Sequence, residues 1–540
     1  MAKRGSNEMQ HDREAAQTDV VIVGGGPVGL GLAIDLALRG IKSIVVEQTT
    51  TLHRIPKGQN LTQRTGEHFR TWGMSQQIRD ASVIPRSFGN EGVTAYGSLF
   101  GDYVYDWFRR SAVGQFYFAE NERLPQYCME AVLRTRADEL DAITTRYGWL
   151  AEHLSQDGDG ATLQIRDVAG AAQEVLRGKY IVGADGARST VRQQAGIEQD
   201  IEEHDQHMAL LVFQSEELHH LLERLPGKSI FNIMRPELQG YWQFLGRVDV
   251  GKTWFYHAPL PKETTVDNFD FEAYLQDAIG AEFAIKFNHI GFWDLRLSVA
   301  RSYRNDRLFV VGDAAHSHPP YGGYGVNTGF EDACNLSWKL AATLQGWAGG
   351  GLLDSYTSER KPVFEATAEE FIGRMIRDDR TFLQTYSPSG DRAAFEAAWA
   401  GRAAGGNADV TEYVPHYEGS PIVCGEAGAT CGARGKHVFA ARAGHHLAPQ
   451  QLRDTPDLFA ALGGGFALLN LGEPSDVEGR FRKAADDLAV PLAITSDTPA
   501  SGANAYEARY ILVRPDHFVA WVGDDPDGGE ANILKSVVGA

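Results

Sequence analysis

A chain of 540 residues exceeds what one hydrophobic core organises, so two or three domains are expected. Hydrophobic residues at 43% and charged residues at 23% exclude wholesale disorder. The formal charge of −20, from 51 basic and 71 acidic residues, argues against a nucleic-acid binder, which needs a basic face, and leaves anionic small ligands open.

The first 17 residues, "MAKRGSNEMQHDREAAQ", are polar, lack the apolar core of a signal peptide and read as a flexible N-terminus. Val20 to Leu38 is the most apolar long stretch, but glycines, a proline and Asp35 interrupt it, so no membrane span is expected. Cys128, Cys334, Cys424 and Cys431 are scattered with no C-x-x-C, which suggests neither a disulfide framework nor a metal site. A cytoplasmic protein is the expectation.

"TDVVIVGGGPVGLGLAIDLALRGIKSIVVEQ", Thr18 to Gln48, begins with the β-branched run of a buried parallel strand. Gly24, Gly26 and Gly29 follow in G-x-G-x-x-G spacing, with Pro27 among them and a helical pattern behind. These glycines suit a tight turn, close approach to a pyrophosphate and close helix–strand packing. The helix N-terminus offers unpaired N–H groups to an anion. Glu47 ends the second strand 18 residues beyond Gly29, where a carboxylate can accept from a ribose diol. NAD and FAD share this geometry, and the stretch does not choose between them.

Two later strands end in the same way. "KYIVGADGARSTVRQQAG" presents Asp185 after a short apolar run, and "RLFVVGDAAH" presents Asp313. A doubly wound sheet places ligands outside the carboxyl ends of its strands, so three such ends can converge on one extended cofactor. Between them, residues 201–300 are dense in aromatics with near-alternating strand character, and Trp242, Phe244, Phe255 and Trp293 read as ordinary core, with lining a pocket as the alternative. Residues 401–420 are poor in large apolar residues and read as a linker. Beyond them, "GGFALLNLG" and "RYILVRPDHFVAWVG" read as strands around a helix at 476–489.

These stretches together resemble the single-component FAD-dependent aromatic hydroxylases, class A flavoprotein monooxygenases of the p-hydroxybenzoate hydroxylase and phenol 2-monooxygenase type. The resemblance rests on "GGGPVG" at 24–29, "GADGARSTVR" at 183–192 and "GDAAHSHPPYGGYGVNTGFEDACNLSWKLA" at 312–341, continued by "LLDSYTSERKP" at 352–362. It implies an α/β protein. A Rossmann-like FAD-binding domain (18–200 and 301–400, with a substrate-side segment near 80–120) would carry an inserted mixed sheet that binds substrate (201–300). A thioredoxin-like domain would occupy 421–540.

By the same resemblance, Asp313 binds the ribityl hydroxyls, and Pro320, Gly325, Val326 and Asn327 meet the flavin ring. Arg123 and Gln126 of "RLPQYCMEAVL" lie near the phosphates and ribityl chain, and Arg64 is the arginine of the loop 55–73, where Lys57 stands in place of the arginine many members have. The implied reaction is hydroxylation of a phenolic ring by O2 through a flavin C4a-hydroperoxide, with NADH or NADPH as co-substrate. His53, Tyr241, Tyr321 and Tyr324 are the candidate bases; His316 and His318 read as polar caps of their loop. A Baeyer–Villiger or epoxidising oxygenase on the same fold, and a non-catalytic flavin-binding redox sensor or interaction protein, are the alternatives. A homodimer contact through the C-terminal domain is a candidate role for it.

Overall fold

The computed structural model describes residues 15–88 and 91–540. The flexible N-terminus expected at 1–17 therefore lies outside the described residues up to position 14, while residues 16 and 17 already belong to the first strand, Ala16–Val23. That strand is central in a sheet running Ile143–Tyr147, Ser43–Glu47, Ala16–Val23, Gln173–Gly183 and Leu308–Val310, all parallel. The near-continuous runs VVIV, SIVV and LFV are buried, as strands covered on both faces require. Helix Pro27–Leu38 crosses over to the second strand, and helix Gly325–Gln345 packs across it. Gly31 permits this approach, because a Cβ there would meet the Trp72 and Phe330 rings at 2.8 and 3.0 Å.

Among the described residues the second sheet has eight strands, with the long pair Gln199–Gln214 and Lys286–Ala300 near one edge. From these the order runs through Thr253–Leu260, Gln243–Arg247 and Ile230–Met234 to Gly92–Tyr96 and Val104–Trp107, two strands drawn from the segment near 80–120. Alternation sorts its faces. Leu211, Trp254 and Tyr256 pack under helix Phe271–Ile279, whereas Leu210, Phe255 and His257 point to the opposite side.

Residues 466–537 form a four-stranded sheet in the order Leu492–Ser496, Phe466–Asn470, Tyr510–Val513, Val519–Gly523, with helices Asp476–Asp487 and Glu530–Val537. The first pair is parallel and the others antiparallel, a thioredoxin-like arrangement. It packs on the back of helix Gly325–Gln345 through Trp338 against Phe466.

Residues 401–420, expected as a linker, are instead packed. Helix Arg392–Ala404 runs into them, Tyr413–His416 pairs with Gly432–Arg434, and Val410 and Tyr417 are buried. A few well-placed large side chains outweigh the small-residue composition around them. Among the described residues, no helix is long and apolar enough to cross a membrane.

Candidate active site

The carboxyl ends of three parallel strands open on one cavity of about 600 Å³. Gly26, Pro27 and Val28 line it from the first end, Ala184, Gly186 and Ala187 from the second, and Val311 and Asp313 from the third. At the first turn, Gly24 has φ +108°, and a Cβ there would lie 2.2 Å from the Ala184 carbonyl oxygen. Gly26 is different: nothing lies within 4 Å of where its Cβ would be, and it caps helix Pro27–Leu38 without any side-chain hydrogen bond. Bare backbone, free N–H groups and open space together are what an approaching pyrophosphate requires.

The other polar groups on the wall also await a partner. Arg123 is buried and bonded to the Asn60 side chain and the Arg247 carbonyl, but no carboxylate pairs with it among the described residues. Burial, with the Arg247 charge adding to it, brings its guanidinium down to about 9. Its Nε and both amide atoms of neighbouring Gln59 make no hydrogen bond among the described residues. The Asp313 carboxylate faces the cavity and accepts no hydrogen bond from the described residues. Gln126, Lys57, Pro320, Gly325 and Val326 complete this side. The set fits a dinucleotide with a polar chain between two ring systems.

The other expected cofactor residues lie further back. Glu47 accepts from Gly25 N (2.8 Å) and Thr49 N (2.7 Å), which ties the glycine turn to the second strand. Gly29 sits against that turn; a Cβ there would lie 2.0 Å from Gly24 O. The Asp185 carboxylate does not reach the cavity: it accepts from Ser189 Oγ, Thr190 N and Val191 N, capping the short helix Thr190–Gln194. Asn327 accepts from Thr62 N and Thr65 Oγ1 and donates to the Asn60 and Gly323 carbonyls, a strut with every valence filled. Arg64 is remote, held by Glu331 and Glu67 at 2.8 Å and donating to the Asp516 carbonyl at the C-terminal sheet.

The four expected bases are also off the cavity wall. His53 is exposed on its loop. Tyr241 bonds His204, the Tyr321 hydroxyl accepts from Trp242 N, and the Tyr324 hydroxyl donates to the Asp409 carbonyl. Burial raises all three phenols, which opposes a phenolate base. Trp242 turns away as well, its indole N–H donating to Asp379.

What faces the cavity opposite the three strand ends is Leu210, Phe244, Phe255 and Trp293 around two histidines. His257 is half-buried beside Trp293 with ring centroids 5.9 Å apart; its Nδ1 and the Trp293 Nε1 have no partner among the described residues. His318 donates from Nδ1 to the Pro319 carbonyl (2.7 Å), which leaves Nε2 a lone-pair acceptor, also without a partner. Burial pushes both histidines down to about 4, so each is a neutral imidazole across the ordinary pH range. His257 carries no motif in the chain; only the period-2 pattern that puts Phe255 on this face points to it.

Fold and cavity together define a dinucleotide-dependent enzyme with an aromatic-walled substrate side. A model of the FAD binding domain matches residues 17–370, and one of the aromatic-ring hydroxylase C-terminal region matches 440–540. The chain belongs to the FAD-dependent aromatic hydroxylases, and it is a FAD-dependent monooxygenase. It is 32% identical over 558 residues to 4-methyl-5-nitrocatechol 5-monooxygenase of a Burkholderia species, covering 97% of this chain and 98% of that one. A putative polyketide hydroxylase of Streptomyces halstedii is 31% identical over 542 residues, covering 94% and 93%. The solved structure of the rebeccamycin biosynthetic enzyme RebC with reduced flavin superposes with a TM-score of 0.82 at 30% identity, covering 97% of this chain and 100% of that one.

Proposed function

We propose that this monooxygenase hydroxylates a phenolic ring that lies between the Phe244, Phe255 and Trp293 wall and the loop His318–Val326, using O2 and NADH or NADPH. The observation that carries the reading is the aromatic wall of Phe244, Phe255 and Trp293 opposite the strand ends, with the unpartnered atoms His257 Nδ1, Trp293 Nε1 and His318 Nε2 just behind its surface, within reach of a ligand after small side-chain shifts. Each buried polar atom without a partner costs about 1–3 kcal/mol, which a bound hydroxylated ring would relieve. The nitrocatechol and polyketide named for the two relatives are consistent with that class of ligand.

When bound, FAD supplies electron transfer from the nicotinamide and an electrophilic oxygen derived from O2. The protein's part is positioning. Gly26 and the helix it caps would hold the pyrophosphate, Arg123 and Asp313 the chain leading to the flavin ring, and the loop from Pro320 to Val326 the ring itself. His318 Nε2, as a neutral acceptor, would take a hydrogen bond from the substrate hydroxyl and raise electron density on the ring to be attacked. The apolar wall would keep water away from the reactive oxygen.

Anaerobic stopped-flow reduction of the bound flavin by NADH and by NADPH tests this, with and without phenols, catechols and polycyclic phenols. Acceleration of reduction by one class, with the hydroxylated product recovered under air, is expected. Equal reduction with every ring, and no oxygenated product from any, would overturn the reading.

A further inference from the structure

Away from the flavin cavity, His416, Glu418 and His445 come together where the hairpin Tyr413–His416/Gly432–Arg434 meets the C-terminal sheet. We propose that these three side chains form a binding site for a divalent transition-metal ion, with Zn2+ as its occupant. One ligand atom from each lies within 4.8 Å of the others, a span that about 1 Å of side-chain movement closes around an ion bound at about 2.0–2.2 Å.

Geometry and unmet hydrogen bonding both point this way. One Glu418 oxygen is 2.7 Å from His445 Nε2, a hydrogen bond. The other is 3.7 Å from His416 Nδ1, too long for one and suited to two ligands of a shared ion. The Nδ1 atoms of both histidines are buried with no hydrogen-bond partner, and the rings stack at 4.9 Å with an 11° interplanar angle. A simple His–Glu pair would leave the His416 ring out; an ion would take up one nitrogen of each ring together with the carboxylate. The His445 side chain is 9% exposed, whereas that of Glu418 is 38% exposed, which leaves an entry path and room for a water as fourth ligand.

The backbone holds the triad in register. Tyr417 N donates to Gly444 O (2.7 Å), Gly444 N to Val519 O and Val519 N to His445 O (2.8 Å each). Gly432, paired opposite His416, keeps the space beside that ring free, since a Cβ there would stand 3.1 Å from His416 Nε2. Two imidazoles and one carboxylate select a borderline ion such as Zn2+ over Mg2+ or Ca2+, which prefer all-oxygen sites. The bound ion would clip the hairpin to the C-terminal sheet and so stabilise the folded chain.

The test uses the untagged, flavin-loaded enzyme, washed with a chelator and dialysed against Zn2+, with Mg2+ as control. One Zn2+ retained per chain, no Mg2+, and a Zn2+-dependent rise in Tm are expected. Glu418→Gln and, separately, His416→Asn should each weaken Zn2+ binding about tenfold or more while flavin content and the flavin spectrum stay unchanged. Failure of the wild-type enzyme to retain Zn2+, or retention at wild-type affinity in both variants, overturns the proposal.

Discussion

The two ends of helix Gly325–Gln345 sit in opposite polar environments. At its N-terminus, around the cavity, Arg123 Nε, Gln59, His257 Nδ1, Trp293 Nε1 and His318 Nε2 are buried and unpaired. Toward its C-terminus the charged groups are paired, with Asn335 Oδ1 the one atom of this network left without a partner among the described residues. The Glu359 carboxylate accepts two hydrogen bonds from Arg514 and one each from Lys339, Asn335 and Ser420. Arg514 also grips Asp516, which accepts from the Trp338 indole. Interiors leave few polar atoms unpaired, so a concentration of them marks where a ligand completes the structure. A saturated ionic cluster instead marks where two parts of the chain are fastened: Lys339 and Glu359 lie in the FAD-binding region, Arg514 and Asp516 in the C-terminal one.

The largest effect is expected at the saturated end. Glu359→Gln leaves two buried cations facing one remaining carboxylate, Asp516. Breaking a buried network by removing one partner costs about 3–5 kcal/mol. Denaturant unfolding should show this loss, and a change below about 1 kcal/mol would mean that the network fastens nothing. The acid limb gives a second reading. Burial pushes the Glu359 carboxyl up, but Arg514 and Lys339 more than reverse it and hold it well below its ordinary 4.5. Its contribution is therefore fully present above about pH 4.5 and is lost as pH falls toward the folded value. Glu67 behaves alike, brought down to about 2 by His446 and Arg64 against the effect of burial. Wild-type stability should stay flat from these groups between pH 5 and 8 and fall below 4.5, and Glu359→Gln should show a shallower acid limb.

A pair of glycines two residues apart sharpens the contrast at the ligand end. Gly24→Ala forces a side chain into the φ +108° conformation and against the Ala184 carbonyl, so the strand end itself is distorted. The backbone term alone costs about 1–2 kcal/mol. Gly26→Ala meets nothing within 4 Å among the described residues. The expected result is a lowered Tm for Gly24→Ala with and without flavin. For Gly26→Ala the apoprotein Tm should match wild type while FAD affinity falls about ten- to a hundredfold, the scale of a lost charge-assisted hydrogen bond. Equal apoprotein destabilisation by both would show that Gly26 is a turn glycine rather than part of a cofactor cradle.

What the sequence makes legible is what is local. Glycine spacing, β-branched runs and turn residues place three strand ends, and the parallel sheet then brings those ends to one cavity. What stays hidden depends on register and on competition for polar groups. Asp185 looks like the acid at the end of the Gln173–Gly183 strand, but the helix beginning at Thr190 lacks amide partners and takes its carboxylate. Tyr321 and Tyr324 follow two prolines in the loop, yet Gly322 at φ +71° swings their rings toward Trp242 and Tyr413. Period 2 sets His257 on the same face as Phe255, but its pairing with Phe244 across two strands, which brings it to the wall, is not written in either strand alone.

The smallest expected effect on folding, with the largest consequence for the proposed chemistry, lies with the cavity histidines. His257→Phe removes a buried nitrogen that has no partner, so the substrate-free protein should lose no stability and should gain some. If His257 receives the substrate hydroxyl, KM for the accelerating phenol should rise about tenfold, the equivalent of about 1.4 kcal/mol. His318→Ala should lower kcat as well, since His318 opens the loop His318–Val326 that would meet the flavin ring. Both histidines are neutral above about pH 5, so neither should produce a titration step in kcat/KM between pH 5 and 8. Tyr321→Phe is the control: among the described residues its hydroxyl accepts only from the Trp242 amide, at 3.3 Å, so kinetics should stay within about twofold of wild type. A reversal, with Tyr321→Phe inactive and His257→Phe unaffected, would move the substrate to the other side of the loop and make the unpaired nitrogens a feature of packing rather than of recognition.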